Sequence, residues 1–306
     1  MKKIWYHLIA VLIVVVWGTT FVSTKVLLFH GMSPRDIFFY RFLMAYTGIW
    51  IFRRKYKNQK NNEGIHPLSS SQANPLVANY KDELLLLLTG FTGGSLYFIA
   101  ENTALEITQA SNVALLVCVA PILTVICSRL FLKNEKLNRF LWHGSLLALA
   151  GVALVAFNGS YMLRIHPLGD ILSLLAALSW AFYTILLKRL GNRYSTLFIT
   201  RKVFFYGLLT LLPLFLFQPL NMDLRILFHP VVLGNMLYLG IVASLLCYFF
   251  WNTVVKFLGA VRTTNYIYMI PLVTLLVSVI VLDETITPIA LAGALLILSG
   301  VALAEQ

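Results

Sequence analysis

The chain has 306 residues, of which 59% are hydrophobic and only 12% are charged, and its formal net charge is +12. Soluble domains carry about 25% charged residues, so this composition excludes a water-soluble globular protein and predicts an all-α integral membrane protein. The basic residues lie in short gaps between apolar runs and do not form one face, which excludes nucleic acid as a partner.

Ten apolar segments are long enough to cross a lipid bilayer as helices. In chain order they cover residues 6–28, 35–52, 83–105, 109–131, 139–157, 168–188, 196–217, 231–255, 261–282 and 287–304. The first segment follows Lys2 and Lys3 like a signal peptide, but its length and the lack of a clear cleavage site favour a membrane span. The hydrophilic residues 53–82 are predicted to form a flexible cytoplasmic linker.

The distribution of Lys and Arg predicts the orientation of the chain. With the N-terminus in the cytoplasm, all but five of the 24 basic residues fall on the cytoplasmic side. The five exceptions are Lys25, Arg35, Arg41, Arg164 and Arg225. Both termini are therefore expected in the cytoplasm, and the short loops favour the cytoplasmic (inner) membrane of a bacterium.

A set of residues in the first half of the chain recurs 150 residues later. Asn102, Thr103, Ala110, Pro121, Thr124 and Ser128 are matched by Asn252, Thr253, Ala260, Pro271, Thr274 and Ser278. Trp17 and Lys25 likewise have the spacing of Trp180 and Lys188. The chain is therefore expected to contain two five-helix units, residues 1–157 and 168–306. Because five is odd, the two units insert in opposite directions, which predicts an inverted repeat with the substrate between them.

Several motifs in these repeats are similar to those of a known group of transporters. They are WGTTFVSTK, FYRFLMA, NTAL followed by Pro121, and a Glu-Gly-Gly pattern at Glu135, Gly144 and Gly151 that recurs at Glu284, Gly293 and Gly300. On these motifs the chain resembles the drug/metabolite transporter superfamily, and within it the EamA-type exporters and permeases. The resemblance implies ten helices, a central cavity, and export or exchange of small organic metabolites, amino acids among them.

Two charged residues are expected inside the membrane, where charge is costly and therefore often functional. Arg41 lies in the second span and Glu101 lies near the outer end of the third. One interpretation is an ion pair that only fixes helix packing. The other is that Arg41 binds a substrate carboxylate while Glu101 binds an amino group or a coupling proton. The sequence leaves proton coupling, simple exchange and the oligomeric state open.

Aromatic and amide side chains lie at helical spacing in several spans. Besides Arg41 and Glu101, the predicted substrate-binding residues are Trp17, Tyr97, Asn102, Trp180, Tyr183, Tyr248, Trp251, Asn252, Asn265 and Tyr268. As a group they are expected to line a cavity. The alternative is that Trp and Tyr form interfacial belts and Asn joins neighbouring helices. Pro121 and Pro271 lie within spans four and nine, where a proline marks a gate or is tolerated as a kink.

Three classes of function are compatible with a protein of many spans. The repeat and the absence of a GxxxxGK[ST] motif favour a secondary transporter of small molecules, with export of amino acids or related compounds preferred. A membrane-embedded enzyme is disfavoured because the 6 His residues are scattered and neither HExxH nor GxSxG occurs. A non-transporting scaffold is disfavoured by the polar residues at bilayer depth. We therefore expect no enzymatic activity, no cofactor and no metal.

Overall fold

The computed structural model describes residues 3–62, 78–108, 110–132, 139–156, 166–191, 193–217, 219–220, 223–273, 276–277 and 287–304. Within these ranges every regular element is a helix, which confirms the all-α prediction. Helices satisfy their own backbone N–H and C=O groups, as a lipid environment requires. Residues 63–77 of the predicted linker lie outside the described residues, as do Glu135, Thr274, Ser278 and Glu284.

The helices of the first half are α1 (Lys3–Phe29), α2 (Pro34–Asn62), α3 (Tyr80–Gly90), a π-helical segment (Phe91–Ser95), α4 (Leu96–Ile107), α5 (Ala110–Val117), α6 (Ala120–Phe131) and α7 (Arg139–Ala156). Those of the second half are α8 (Pro167–Gly191), α9 (Thr196–Leu211), a 3-10 segment (Leu212–Leu216), α10 (Leu224–Leu227), α11 (Pro230–Leu237), a second π-helical segment (Tyr238–Leu246), α12 (Cys247–Leu258), α13 (Ala260–Asn265), a 3-10 segment (Tyr266–Met269) and α14 (Pro288–Ala304).

Six helical rods in the described ranges are long and apolar enough to cross a membrane. They are Ile4–Phe29, Tyr80–Ile107, Val113–Phe131, Pro167–Gly191, Thr196–Leu216 and Pro230–Leu258. Two further apolar helices, Phe140–Leu154 and Leu291–Ala304, are shorter. The predicted second span lies in α2, where Arg35, Asp36 and Arg41 interrupt the apolar run. The predicted ninth span, 261–282, extends beyond the described residues.

One boundary prediction is wrong. Helix α2 does not end at residue 52 but continues to Asn62, so the first part of the predicted linker is helical. This part is rich in Arg and Lys, which have good helix propensity and extend a helix that has already begun. At the other end of the linker, α3 begins at Tyr80, and the side chain of Asn79 caps it by accepting a hydrogen bond from the Asp82 N–H at 2.9 Å.

The long rods are interrupted at corresponding places in the two halves. The π-helical segment Phe91–Ser95 corresponds, 150 residues later, to part of the segment Tyr238–Leu246. A turn at residues 118–119 precedes Pro121, and the 3-10 segment Tyr266–Met269 precedes Pro271. Proline lacks an N–H and its ring clashes with the carbonyl four residues earlier, so a regular helix cannot continue there. The two halves therefore share their irregularities as well as their sequence motifs.

The two halves pack by interleaving their helices. Helix α4 of the first half lies along α8, and α12 of the second half lies along α1. The last helices of the two halves, α7 and α14, pack against each other in antiparallel directions. An added Cβ at Gly144 would lie 2.5 Å from the Gly300 carbonyl oxygen, and one at Gly151 would lie 2.5 Å from that of Gly293. Glycine is required for such close backbone contact between membrane helices.

Candidate functional site

A small cavity lies between the two halves, near the middle of the long rods. It is lined by Trp17, Thr20, Phe21, Arg41, Tyr97, Phe98, Glu101 and Val117 of the first half and by Trp180, Tyr248, Ile267 and Ile270 of the second. Its volume is about 30 Å³, which is enough for one or two water molecules but not for a metabolite. The described structure is therefore a closed one, with a polar and aromatic site at its centre.

Arg41 is held on one wall of the cavity and is almost fully buried, with 2% of its surface exposed. Its Nε donates a hydrogen bond to the Ser244 Oγ at 2.9 Å, and its guanidinium carbon lies 4.1 Å from the centre of the Phe98 ring. The ring face attracts the positive charge. Because the contact to Ser244 uses only Nε, the terminal nitrogens of the guanidinium are left for a further acceptor.

Glu101 lies on the same cavity and is also buried. Its Oε1 accepts a hydrogen bond from the Tyr97 hydroxyl at 2.8 Å. These two residues are one turn apart on α4, where side chains four positions apart are neighbours. The ion pairs formed between described residues are Arg193–Asp82 and Lys202–Glu83, and they do not include Arg41 with Glu101. The structure thus places two opposite buried charges around one void without a direct contact between them.

Aromatic rings form the remaining walls. The rings of Trp17 and Trp180 meet edge to face, with centroids 5.2 Å apart, and Tyr97 lies 5.0 Å from Trp180. Tyr248 contacts both tryptophans, at 6.2 Å and 5.9 Å. All four of these residues are buried in the interior, so they do not belong to an interfacial belt. The edge-to-face geometry is the one that aromatic pairs prefer.

Two other predicted aromatic residues lie behind these walls and do not line the cavity. Trp251 contacts Trp17 at 4.8 Å between centroids. The Tyr183 hydroxyl donates a hydrogen bond to the Asn252 Oδ1 at 2.7 Å. Their side chains support the first layer of rings because they are one helical turn further along α8 and α12 than Trp180 and Tyr248.

The predicted amides also do not line the cavity. Asn252 donates to the Thr200 Oγ1 at 2.8 Å, and Asn102 donates to the Pro34 carbonyl at 3.1 Å, so both join neighbouring helices. Asn265 and Tyr268 are fully buried, but it is Ile267 that faces the cavity between them. The prediction assumed a regular helix, whereas the 3-10 segment beginning at Tyr266 changes the rotation per residue and turns Ile267 inward.

The prolines place helix breaks at the cavity. Pro271 has no N–H to donate to the Ile267 carbonyl, which instead accepts a 3-10 hydrogen bond from the Ile270 N–H. The Cys118 thiol donates to the same carbonyl at a sulfur–oxygen distance of 3.7 Å. Cys118 itself lies in the turn before Pro121. Each broken helix therefore contacts the other at its break, beside the cavity-lining residues Val117 and Ile267.

The π-helical segments were not predicted, and both contact the site. The Trp17 indole N–H donates to the Ala243 carbonyl at 3.1 Å, and the Tyr248 hydroxyl donates to the Gly93 carbonyl at 2.7 Å. Each bond crosses from one half to the other and satisfies a carbonyl in a loosened part of a helix. The available sequence signals were Gly93–Gly94 and Gly240, but glycines alone do not distinguish a π segment from close packing. Sequence reasoning also missed the lining residues Thr20, Phe21, Phe98, Val117, Ile267 and Ile270.

A second polar cluster lies at the start of α3, on the predicted cytoplasmic face. Asp82 accepts from the Arg193 guanidinium at 2.5 Å and from the Tyr194 hydroxyl at 2.8 Å. Glu83 accepts from the Lys202 ammonium at 2.7 Å and from the Tyr206 hydroxyl. We call these six residues the carboxylate cluster. Burial, together with the hydrogen bond to the Asp82 carboxylate, raises the pKa of Tyr194. The cluster joins the first half of the chain to the second.

Lys25 has a structural role at the opposite end of the bundle. Its ammonium group donates to the Leu105 carbonyl at 2.5 Å and to the Thr108 carbonyl at 3.0 Å, where helix α4 ends. A cation is stabilised at a helix C-terminus. No group of three or more His, Cys, Asp or Glu side chains able to hold a metal occurs among the described residues.

A closed site of buried charges and aromatic rings between two repeat-related halves defines a polytopic transporter of the duplicated kind. The EamA-like transporter family matches residues 4–157 and again residues 167–305, and the chain belongs to this family. The match confirms the resemblance seen in the sequence motifs.

Individual relatives extend over nearly the whole chain. One is described as an "Uncharacterized transporter" of Archaeoglobus fulgidus, 24% identical over 300 residues that cover 96% of this chain and 95% of the relative. Another is a "Probable amino-acid metabolite efflux pump" of Escherichia coli K12, which is 27% identical over 95% of this chain and 92% of the relative. A solved crystal structure shares the fold, with a TM-score of 0.68, 19% identity and coverage of 98% and 96%.

Proposed function

We propose that the chain is a secondary transporter that exports small zwitterionic metabolites, amino acids or close relatives, by alternating access. The observation that carries this proposal is the placement of Arg41 and Glu101 around one void, with opposite charges and no direct ion pair. A zwitterion supplies the complementary charges, its carboxylate for Arg41 and its ammonium for Glu101. The aromatic walls suit an apolar body between those ends.

The size of the cavity supports a cycle in which the halves separate. A void of about 30 Å³ is roughly a tenth of the smallest ligand pockets in proteins, which begin near 300 Å³. A substrate therefore enters only when the wall formed by one half moves away from the other. We propose ten membrane helices arranged as two inverted five-helix repeats for this movement. The antiparallel packing of α7 against α14 supports the inversion, because these helices hold equivalent positions in the two halves.

Location and direction complete the proposal. The predominance of Lys and Arg on one side supports insertion in the bacterial cytoplasmic membrane with both termini in the cytoplasm. Export is proposed because a relative that covers 95% of this chain is described as a "Probable amino-acid metabolite efflux pump". A fusion of a reporter enzyme to each terminus tests the orientation, since a reporter active only outside the cytoplasm will remain inactive at both.

The test of transport uses proteoliposomes preloaded with a mixed amino-acid pool. Saturable exchange with external labelled leucine or phenylalanine is expected from the wild type and is expected to be lost in Arg41→Ala. Arg189→Ala, in which an exposed Arg outside the cavity is removed, is the matched control and is expected to retain exchange. Exchange that persists in Arg41→Ala, or that is absent from the wild type for every amino acid, contradicts the proposed substrate class.

The coupling ion is tested at Glu101. If Glu101 carries a proton during the cycle, Glu101→Gln fixes it in its neutral state, and the rate of exchange should then no longer depend on pH. The Tyr97 hydroxyl still has an amide oxygen to donate to in this variant, so the local packing is retained. A pH dependence equal to that of the wild type rules out Glu101 as the proton site and favours simple exchange.

A further inference from the structure

The two tryptophans of the cavity hold equivalent positions in the repeat but have different hydrogen bonding. Both are buried and both line the void. The Trp17 indole N–H donates to the Ala243 carbonyl at 3.1 Å. The Trp180 indole N–H has no hydrogen-bond partner, although Trp180 is only 4% exposed. Buried donors are nearly always paired, and an exception calls for a specific explanation.

The explanation lies in one difference between the halves. By the repeat, the counterpart of Ala243 is Gly93, so the symmetric partner of the Trp180 N–H would be the Gly93 carbonyl. That carbonyl already accepts a hydrogen bond from the Tyr248 hydroxyl at 2.7 Å. The counterpart of Tyr248 in the first half is Phe98, which has no hydroxyl and leaves the Ala243 carbonyl to Trp17. The Tyr248 hydroxyl therefore occupies the acceptor expected for Trp180, and the Trp180 N–H is left without a partner.

We propose that the Trp180 indole N–H is a hydrogen-bond donor to the carboxylate of the transported substrate, and that Tyr248 keeps this donor available. The inference rests on the proposed function, and within the same site it makes Trp180 a substrate-contacting residue and Tyr248 a positioning residue. Trp180 and Arg41 line the same void, and a carboxylate has enough lone pairs to accept from an indole and a guanidinium together. Trp17, whose N–H is bonded within the protein, only shapes the wall.

The test compares Trp180→Phe with Trp17→Phe. Both substitutions keep an aromatic ring and remove one N–H, but only the first removes a donor without a partner in the protein. Binding of labelled phenylalanine to the purified wild type and variants is measured, together with competition by phenylalaninamide, which lacks the carboxylate. In Trp180→Phe we expect phenylalanine to bind about tenfold or more weakly, and the preference for the acid over the amide to fall by a similar factor. Trp17→Phe alters the same cavity wall, so it should change the affinities for the acid and the amide by the same factor and not the preference between them.

A second variant tests the role of Tyr248. In Tyr248→Phe the Gly93 carbonyl loses its donor and becomes the acceptor for the Trp180 N–H, as Ala243 is for Trp17. The preference for the acid should fall as in Trp180→Phe, although the tryptophan is still present. The double variant Tyr248→Phe/Trp180→Phe should show no further loss of preference, because both changes withdraw the same donor.

The outcomes separate this inference from the proposed function. If the wild type binds phenylalanine and the acid-to-amide preference is the same in Trp180→Phe, the role of the indole is refuted while the transport proposal stands. A loss of preference in Trp17→Phe equal to that in Trp180→Phe refutes it as well, because the effect is then one of ring packing. If the wild type binds no amino acid, both proposals fail.

Discussion

Glu83→Gln tests how strongly the carboxylate cluster holds the two halves together. Glu83 belongs to α3 in the first half and accepts hydrogen bonds from Lys202, Tyr206 and the Ala78 N–H. The side chains of Glu83 and Lys202 are only 15% and 9% exposed. Removal of one partner from a buried pair costs about 3–5 kcal/mol, and from an exposed pair about 0–1 kcal/mol. Because the Glu83–Lys202 pair is partly exposed, we expect Glu83→Gln to lower the free energy of unfolding by about 2 kcal/mol.

The neighbouring ion pair gives the matched control. The Arg193 side chain is 59% exposed, so its charge is screened by water and salt. The Asp82 side chain is only 4% exposed, but without Arg193 it keeps its hydrogen bonds from the Tyr194 hydroxyl and the Asn79 amide. Arg193→Gln should therefore cost less than about 1 kcal/mol. In detergent, the apparent melting temperature should fall clearly in Glu83→Gln and only slightly in Arg193→Gln. Replacing both partners, as in Glu83→Gln/Lys202→Met, should recover part of the loss, because no unpaired charge is then buried.

The functional consequence is greater opening at the face where the cluster lies. A loss of about 2 kcal/mol corresponds to roughly a 30-fold rise in the ratio of open to closed molecules at that face. Leu187, two turns along α8 from Trp180, is 3% exposed and reports on this opening when replaced by Cys in a background without the native cysteines. An impermeant maleimide should label it faster in Glu83→Gln than in Arg193→Gln. Equal labelling and equal melting in the two variants would refute the reasoning.

Two further predictions concern packing around the site. A Cβ at Gly93 would lie 2.1 Å from the Tyr183 ring, so Gly93→Ala should lower stability by about 1–3 kcal/mol through overpacking. An added Cβ at Gly234 would have no neighbouring atom within 4 Å, so Gly234→Ala should be neutral or stabilising in the same melting assay. Cys118→Ala removes the side-chain donor to the Ile267 carbonyl, which keeps its hydrogen bond from the Ile270 N–H, and should lower the free energy of unfolding by about 1 kcal/mol. Cys118→Ser keeps a side-chain donor and should lower it by less. Equal melting of the two Cys118 variants would contradict this role of the thiol.

The sequence was sufficient to predict most rods of the fold, because long apolar runs and their charged ends are local properties. Helix α8, predicted as residues 168–188, is observed as Pro167–Gly191. The predicted second span ends at residue 52, ten residues before the end of α2 at Asn62. Polarity marks where the chain leaves the membrane, whereas helix propensity influences where the helix ends. A hydropathy pattern cannot separate these two effects.

The site was predictable in its chemistry but not in its detailed contacts. Arg41 and Glu101 are predictable as site residues because charges are rare within apolar spans, and the structure places both on one cavity. Their lack of a direct ion pair depends on the Ser244 and Tyr97 contacts, which arise from helix packing. Tyr268 does not line the cavity as predicted, because it lies in the 3-10 segment that follows α13, which the sequence pattern does not indicate. Helical periodicity fails where the helix itself changes type.

The glycine contact between α7 and α14 has a consequence for assembly. Gly144 contacts Gly300 and Gly151 contacts Gly293. The two helices therefore contact each other through equivalent glycine-containing surfaces. Such a self-complementary contact is the kind found in two-fold symmetric dimers. The final helix of one half would therefore fit a second copy of itself in the opposite direction. If the two halves are produced as separate polypeptides, we expect them to associate in the membrane through this contact between α7 and α14.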